Sequence, residues 1–181
     1  MAASDWEIRE IQEPEYAGAG ALVAAAYVND HLVDPDDEYV SQLSNVADRA
    51  ASPGTAVLVA VGKPDSEHPG VLGGTITVAE AGSSYADIAQ TGELELRMLG
   101  VAPQLRGARL GERLMRAAID RAHARGLSAV FSMVPGNVNA QRLYERMQLG
   151  RVPERDWTIP ELPELGTMQV FAAPPTATPS A

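Results

Sequence analysis

The stretch VAPQLRGARLGERLM, residues 101–115, decides how this chain is read. Its first residue closes a strand-like run, ELELRMLGV, residues 93–101. From Leu110 onward, Leu110, Leu114, Met115, Ala118, Ile119 and Ala122 recur at three- and four-residue steps, which makes one apolar helical stripe. Between strand and helix stand Arg106, Gly107, Ala108, Arg109 and Gly111. A small-residue turn at a helix start leaves backbone N–H groups unpaired at the positive end of the helix dipole. Such a turn can receive a phosphate. The stretch has neither the Rossmann glycine spacing nor the Gly-Lys-Ser/Thr of a triphosphate loop. By spacing alone, a plain turn with solvated arginines reads as well.

On the N-terminal side, TAVLVAVG (residues 55–62) and VLGGTITVAE (71–80) flank the turn cluster KPDSEHPG, predicting a hairpin. Residues 93–101 then form the third strand of the same meander. WEIREI opens as a strand, and EPEYAGAGALVAAAYV (13–28) reads as a helix with Pro14 in its first turn. Asp34-Pro35-Asp36-Asp37 predicts a second helix, capped by Asp34 and running to about Ala51.

On the C-terminal side, Gly126 is placed to end the long helix in a left-handed cap. LSAVFSMV (127–134) suits a strand covered on both faces. Asn137 is placed to cap the helix VNAQRLYERM, and GRVPERDW and TMQVFAAP hold two final strands. The unit from Glu93 to Val134 predicts a right-handed crossover between parallel strands. A ligand then belongs where the first of those strands ends. One domain is expected over residues 1–173, with a disordered tail, PPTATPSA, over 174–181.

A chain of 181 residues is long enough to bury a core without staples. The net charge of −10 argues against nucleic acid as a partner and tolerates a cationic small molecule. With no cysteine, disulfides, thiolate nucleophiles and cysteine metal sites are excluded. No metal site is expected, because His31, His68 and His123 share no ligand spacing and read as solvated. The longest nearly apolar stretch, residues 17–28, is too short to span a bilayer, and no signal-peptide pattern is visible. The expected compartment is therefore the cytoplasm.

Two blocks together resemble the GNAT superfamily of acyl-CoA-dependent N-acyltransferases. The first is RMLGVAPQLRGARLG, through Leu99, Gly100, Val101, Pro103, Arg106 and Gly111. The second is NVNAQRLYERMQLG, through Asn137, Ala140, Leu143, Tyr144 and Glu145. The element order fits as well, so the resemblance covers about residues 5–173. It implies an α/β (α+β) GNAT fold: a mixed, mostly antiparallel sheet of about seven strands with helices on both faces. Two positions depart from the family pattern. Arg109 stands where the loop's first signature glycine is found, and Gln148-Leu149 stands where Gly-Phe is frequent. Arg109 is expected at an ordinary negative φ, where it costs little. The Gln148 change is expected to affect packing only.

The resemblance implies direct acetyl transfer from acetyl-CoA, without a metal, to the amine of a small-molecule or peptide acceptor. Leu99, Gly100 and Val101 would hold the thioester carbonyl and pantetheine arm through backbone groups. Arg106, Gly107, Ala108, Arg109, Leu110 and Gly111 would hold the pyrophosphate. Asn137 would be a cofactor contact, a helix cap, or both. Tyr144 would protonate the leaving thiolate, or else be a packing tyrosine. Glu93, Glu95 and Arg97 share a strand face that suggests a wet cleft, so Glu95 is either the amine-side base or an exposed strand residue. The acids of residues 30–38 border the acceptor side. A non-catalytic acyl-CoA-binding module is the competing reading, and a homodimer is left open.

Overall fold

The computed structural model describes residues 5–160 and 162–175; residues 176–181 of the expected tail lie outside it. Strands β2 (Thr55–Gly62), β3 (Leu72–Glu80) and β4 (Glu93–Val101) form the three-stranded antiparallel meander read from the sequence, and β1 (Trp6–Glu10) pairs antiparallel with β2. Strands β5 (Ser128–Met133), β6 (Gly150–Arg151) and β7 (Gln169–Ala173) complete one seven-stranded sheet of order β1-β2-β3-β4-β5-β7-β6. Only β4 and β5 run parallel, joined by the crossover helix α4 (Leu110–His123).

Alternation along β2 builds both faces of the sheet. Ala56, Leu58 and Ala60 join the core under α4, together with Leu94, Leu96 and Phe131. Val57, Val59 and Val61 point the other way, against Ala19 and Val46. Those two residues belong to α1 (Tyr16–Asn29) and α3 (Val46–Ala51), so helices cover both faces, as the resemblance implies. Every residue of the predicted α4 stripe is buried, and Gly126 follows the helix at φ +70°.

The second helix differs from the sequence reading. Asp37, not Asp34, is the cap, accepting the Tyr39 N–H at 2.7 Å. The helix also divides at Asn45 into α2 (Glu38–Ser44) and α3. Arg49 explains why the break is tolerated. Its guanidinium donates to the Gln42 and Leu43 carbonyls, which belong to the last turn of α2. A cation on those carbonyls satisfies acceptors that the helix itself leaves open. Arg49 is fully buried there, and burial lowers its pKa from the ordinary arginine value. The α1–α2 packing depends on Gly20, where a Cβ would lie 2.1 Å from the Ser44 carbonyl oxygen.

Two irregularities of β4 make room for a site. Met98 takes φ +51° where the β3–β4 register shifts between Thr75 and Thr77, a bulge. Strict alternation would put residues 96 and 98 on one face. Instead, Leu96 packs under α4 while Met98 packs with Val23 and Leu43 on the α1 side. In addition, β4 pairs with β5 only over Glu93–Glu95, opposite Ser128–Val130. Beyond that point the two strands part.

Candidate active site

The gap between β4 and β5 widens into a cleft of about 1170 Å³. Pockets for ordinary small molecules run to roughly 300–1,000 Å³, so this one suits a long ligand together with a second substrate. Leu99, Gly100 and Val101 line one side, and Ser132, Met133 and Val134 line the other. The start of α4 closes one end. Asn137 and Tyr144, from the helix α5 (Val138–Arg146) and its cap, also face in.

Arg109 is not in the conformation expected of it. It is the residue before α4 and takes φ +56°, the left-handed region. Residues other than glycine pay roughly 1–2 kcal/mol there. Gly107, at φ +91°, and Arg109 together swing the chain from the short turn at Pro103–Leu105 into the helix, through a backbone conformation that favours glycine. The Arg109 side chain lines the cleft, is exposed, and makes no ion pair among the described residues.

The N–H groups of Arg109, Leu110, Gly111 and Glu112 find no acceptor among the described residues. Ala108 differs: its N–H donates to the Leu105 carbonyl at 3.2 Å, and its side chain packs against the core rather than lining the cleft. Arg106 lines the cleft, but its guanidinium is bonded to Asp30, the residue that ends α1.

Tyr144 is 8 % exposed, with its ring edge-on to Phe131 and Phe171 at 4.9 Å each. The residue lines the cleft, and its hydroxyl has no hydrogen-bond partner among the described residues. Burial pushes the phenol well above its ordinary pKa, so the proton stays on the oxygen. Asn137 caps α5, with Oδ1 accepting the Ala140 N–H at 3.0 Å, while the residue still lines the cleft.

Glu95 corrects the idea of a wet strand face. It is 2 % exposed and does not line the cleft. Its Oε2 accepts the N–H groups of Asp87, Ile88 and Ala89 at 2.8, 2.8 and 3.1 Å. Its Oε1 lies 3.6 Å from Arg97 Nε. Burial raises its pKa, against the opposing pull of Arg97 and the Ile88 and Ala89 amides. Glu93 is similarly occupied, holding Arg155 through two hydrogen bonds of 2.6 and 2.9 Å.

Three cleft residues went unnoticed in the sequence, Tyr27, Tyr39 and Asp87, and they line the cleft together with Arg97. Arg97 pairs with Asp87 at 2.7 Å, and the Tyr27 and Tyr39 rings lie 6.2 Å apart. Of the histidines, His123 touches the Ala173 carbonyl at 3.0 Å and His68 lies 5.7 Å from the Trp6 ring, so neither is simply solvated. Gln148 takes φ +55° just past α5, so the departure there changes the backbone as well as the packing. Leu149 does pack against the core, as expected. No group of three or more metal-ligating side chains occurs among the described residues, and no helix there is long and apolar enough to cross a membrane.

The sheet parts after one short parallel step, and amides without acceptors stand at the start of the helix that follows. The family model of the acetyltransferase (GNAT) family matches residues 8–149, and the chain belongs to that family. A GCN5-related N-acetyltransferase from Kribbella flavida shares the fold at a TM-score of 0.67 and 19% identity, covering 96% of this chain and 99% of that one. YncA from Salmonella typhimurium, solved with its cofactor acetyl-CoA, gives 0.65 and 17% identity over 98% of both chains. PaiA N-acetyltransferase from Thermoplasma acidophilum, in complex with coenzyme A, gives 0.66 and 14% identity, covering 96% of this chain and 99% of that one. A sequence search of curated proteins gives no match.

Proposed function

We propose that this acyltransferase moves an acetyl group from acetyl-CoA directly to a primary amine of a small-molecule or peptide acceptor. The observation that carries the reading is Tyr144, a buried phenol without a partner that faces the cleft and is held in its protonated form. The residues present fit the co-substrate, because free amides at Arg109–Glu112 supply donors for a pyrophosphate. Acetyl-CoA supplies an activated acyl carbon and a thiolate leaving group.

The protein's part is to bind, orient and protonate. Leu99, Gly100 and Val101 present the unpaired edge of β4 to the pantetheine arm and thioester. Gly107, Leu110 and Gly111 shape the phosphate turn, Arg109 adds a cationic fork donor at its rim, and Arg106 adds positive charge there while its guanidinium stays on Asp30. Asn137 contributes its side-chain N–H₂ while its oxygen remains the helix cap. As the amine bonds to the acyl carbon and the C–S bond breaks, Tyr144 gives its Oη proton to sulfur and regains one from water. The amine sheds its own proton to solvent. A direct-base role for Glu95 would need a lone pair on the cleft, and both carboxylate oxygens face protein groups instead.

Calorimetry with acetyl-CoA, followed by thiol release across an amine panel, tests the reading. Binding in the micromolar range, about −7 to −8 kcal/mol, with amine-dependent thiol release is expected. Binding without release for any amine would leave an acyl-CoA-binding module in its place.

A further inference from the structure

We infer that Arg109 and Arg142 together hold the 3′-phosphate of the CoA ribose, so that this protein tells CoA from 3′-dephospho-CoA. The inference rests on the acetyl-CoA reading above and concerns the nucleotide end of that ligand, away from the transferred acetyl group. Among the described residues, every arginine except Arg109 and Arg142 pairs with a carboxylate or donates to a backbone carbonyl. The chain is not short of carboxylates, since 24 acids stand against 14 lysines and arginines. Both exceptions are exposed, and both line the cleft.

The two side chains come from neighbouring elements. Arg109 is the residue before α4, and Arg142 lies on α5, one turn ahead of Arg146. The helices meet where α4 begins. A Cβ on Gly111 would lie 3.7 Å from Leu143 Cδ2, and Glu112 pairs with Arg146 at 3.5 Å. Asn139, Arg142 and Arg146 follow one another at three- and four-residue steps, and all three line the cleft. The face of α5 that carries Arg142 therefore borders the turn whose amides, Arg109–Glu112, are open.

The acids at this end are already held. Glu112 pairs with Arg116 and Arg146, Asp30 with Arg106, and Glu145 accepts from Gln141 at 2.9 Å. The other cleft acids, Asp34, Asp37, Asp87 and Glu164, make no ion pair with either free guanidinium. Arg106, Arg109, Arg116, Arg142 and Arg146 outnumber Asp30, Glu112 and Glu145 here. This end of the cleft is positive in a chain of net charge −10, which favours an anionic ligand at this spot.

CoA carries its negative charge in two places, the pyrophosphate and a monoester at ribose C3′. One run of helix-start amides makes a single concave seat, and the pyrophosphate fills it. The monoester hangs from the ribose several bonds away and falls outside that seat. Planar guanidinium forks suit it, because each can give two parallel N–H donors to one phosphate. The backbone offers no reason for an arginine at φ +56°, where glycine is favoured, so the reason lies in the side chain.

Calorimetry of the full chain with CoA and with 3′-dephospho-CoA tests the inference without turnover. Wild type is expected to bind CoA about tenfold more tightly, the scale of two exposed charge pairs. Arg142→Gln and Arg109→Asn should each cut that ratio about threefold, asparagine being tolerated in the left-handed region. The double variant should bring the two ligands level, with affinity for 3′-dephospho-CoA unchanged. Arg125→Gln removes the same charge just past the other end of α4 and should leave the ratio at its wild-type value. Equal binding of the two ligands by wild type overturns the inference while leaving acetyl transfer intact. A ratio that survives in the double variant overturns it too, because the 3′-phosphate is then held elsewhere. An equal loss for both ligands would put the arginines on the pyrophosphate, and a matching fall in Arg125→Gln would reduce the effect to net charge; either overturns it. Absence of binding by either ligand removes the acyl-CoA reading and this inference together.

Discussion

The two walls of the cleft handle polar groups in opposite ways. On the wall formed by the starts of α4 and α5, they are left unspent: the amides of Arg109–Glu112, the Arg109 guanidinium and the Tyr144 hydroxyl lack protein partners among the described residues. On the wall formed by β4 and the β3–β4 loop, they are consumed by one another: Glu95 holds three amides, Glu93 holds Arg155, and Arg97 holds Asp87 and Tyr85. Unpartnered donors that line a cleft stay open to a ligand. A consumed network fixes shape instead. The first wall is built to receive and the second to hold still.

Tyr144→Phe breaks the comparison most sharply, since it removes one unspent group and leaves the ring packing in place. kcat is expected to fall by about 100-fold, within the usual span of general acid catalysis, with acetyl-CoA affinity nearly unchanged. Because burial raises the phenol pKa, wild type should show no loss of rate from phenol ionisation up to about pH 10, the ordinary tyrosine value. An undiminished rate in Tyr144→Phe would reduce this residue to a packing tyrosine.

Arg106 is the exception on the receiving wall, because it is spent on Asp30. Asp30→Asn frees the guanidinium for phosphate, and acetyl-CoA should bind about three- to fivefold more tightly, the scale of an exposed ion pair. Weaker binding in a titration of the variant would mean that Asp30 aims Arg106 rather than competing for it.

The smallest effects sharpen the comparison at the backbone. Arg109→Gly and Gln148→Gly each relieve a left-handed residue and should each stabilise the fold by about 0.5–1 kcal/mol in denaturant unfolding. Only Arg109→Gly should also weaken acetyl-CoA, by roughly twofold to fivefold, because only Arg109 stands on the receiving wall. A strong gain in affinity would show that the arginine obstructs the site.

These differences also mark what the sequence could disclose. The α4 stripe, the meander and the Asn137 cap were legible, because each depends on residues a few positions apart. The division of the second helix was not, since it depends on Arg49 reaching back to the Gln42 and Leu43 carbonyls. The left-handed backbone of Arg109 is imposed by the turn that Gly107 begins, and side-chain identity pointed the other way. Glu95 sits at a correctly predicted strand position, yet alternation cannot tell solvent from a loop folded over the same face. Asp87, within a polar connection, carried no pattern at all.

The brief parallel contact between β4 and β5 has a mechanical consequence. At that seam the sheet behaves as two leaves joined along a short spine, Glu93–Glu95 against Ser128–Val130. A ligand lodged between the leaves ties them together past the spine, so it braces β5 and β7 through contacts that neither strand makes alone. Amide exchange along residues 131–133 and 169–171 should therefore slow when acetyl-CoA is added, while exchange in the antiparallel β1–β2 pair stays as it was.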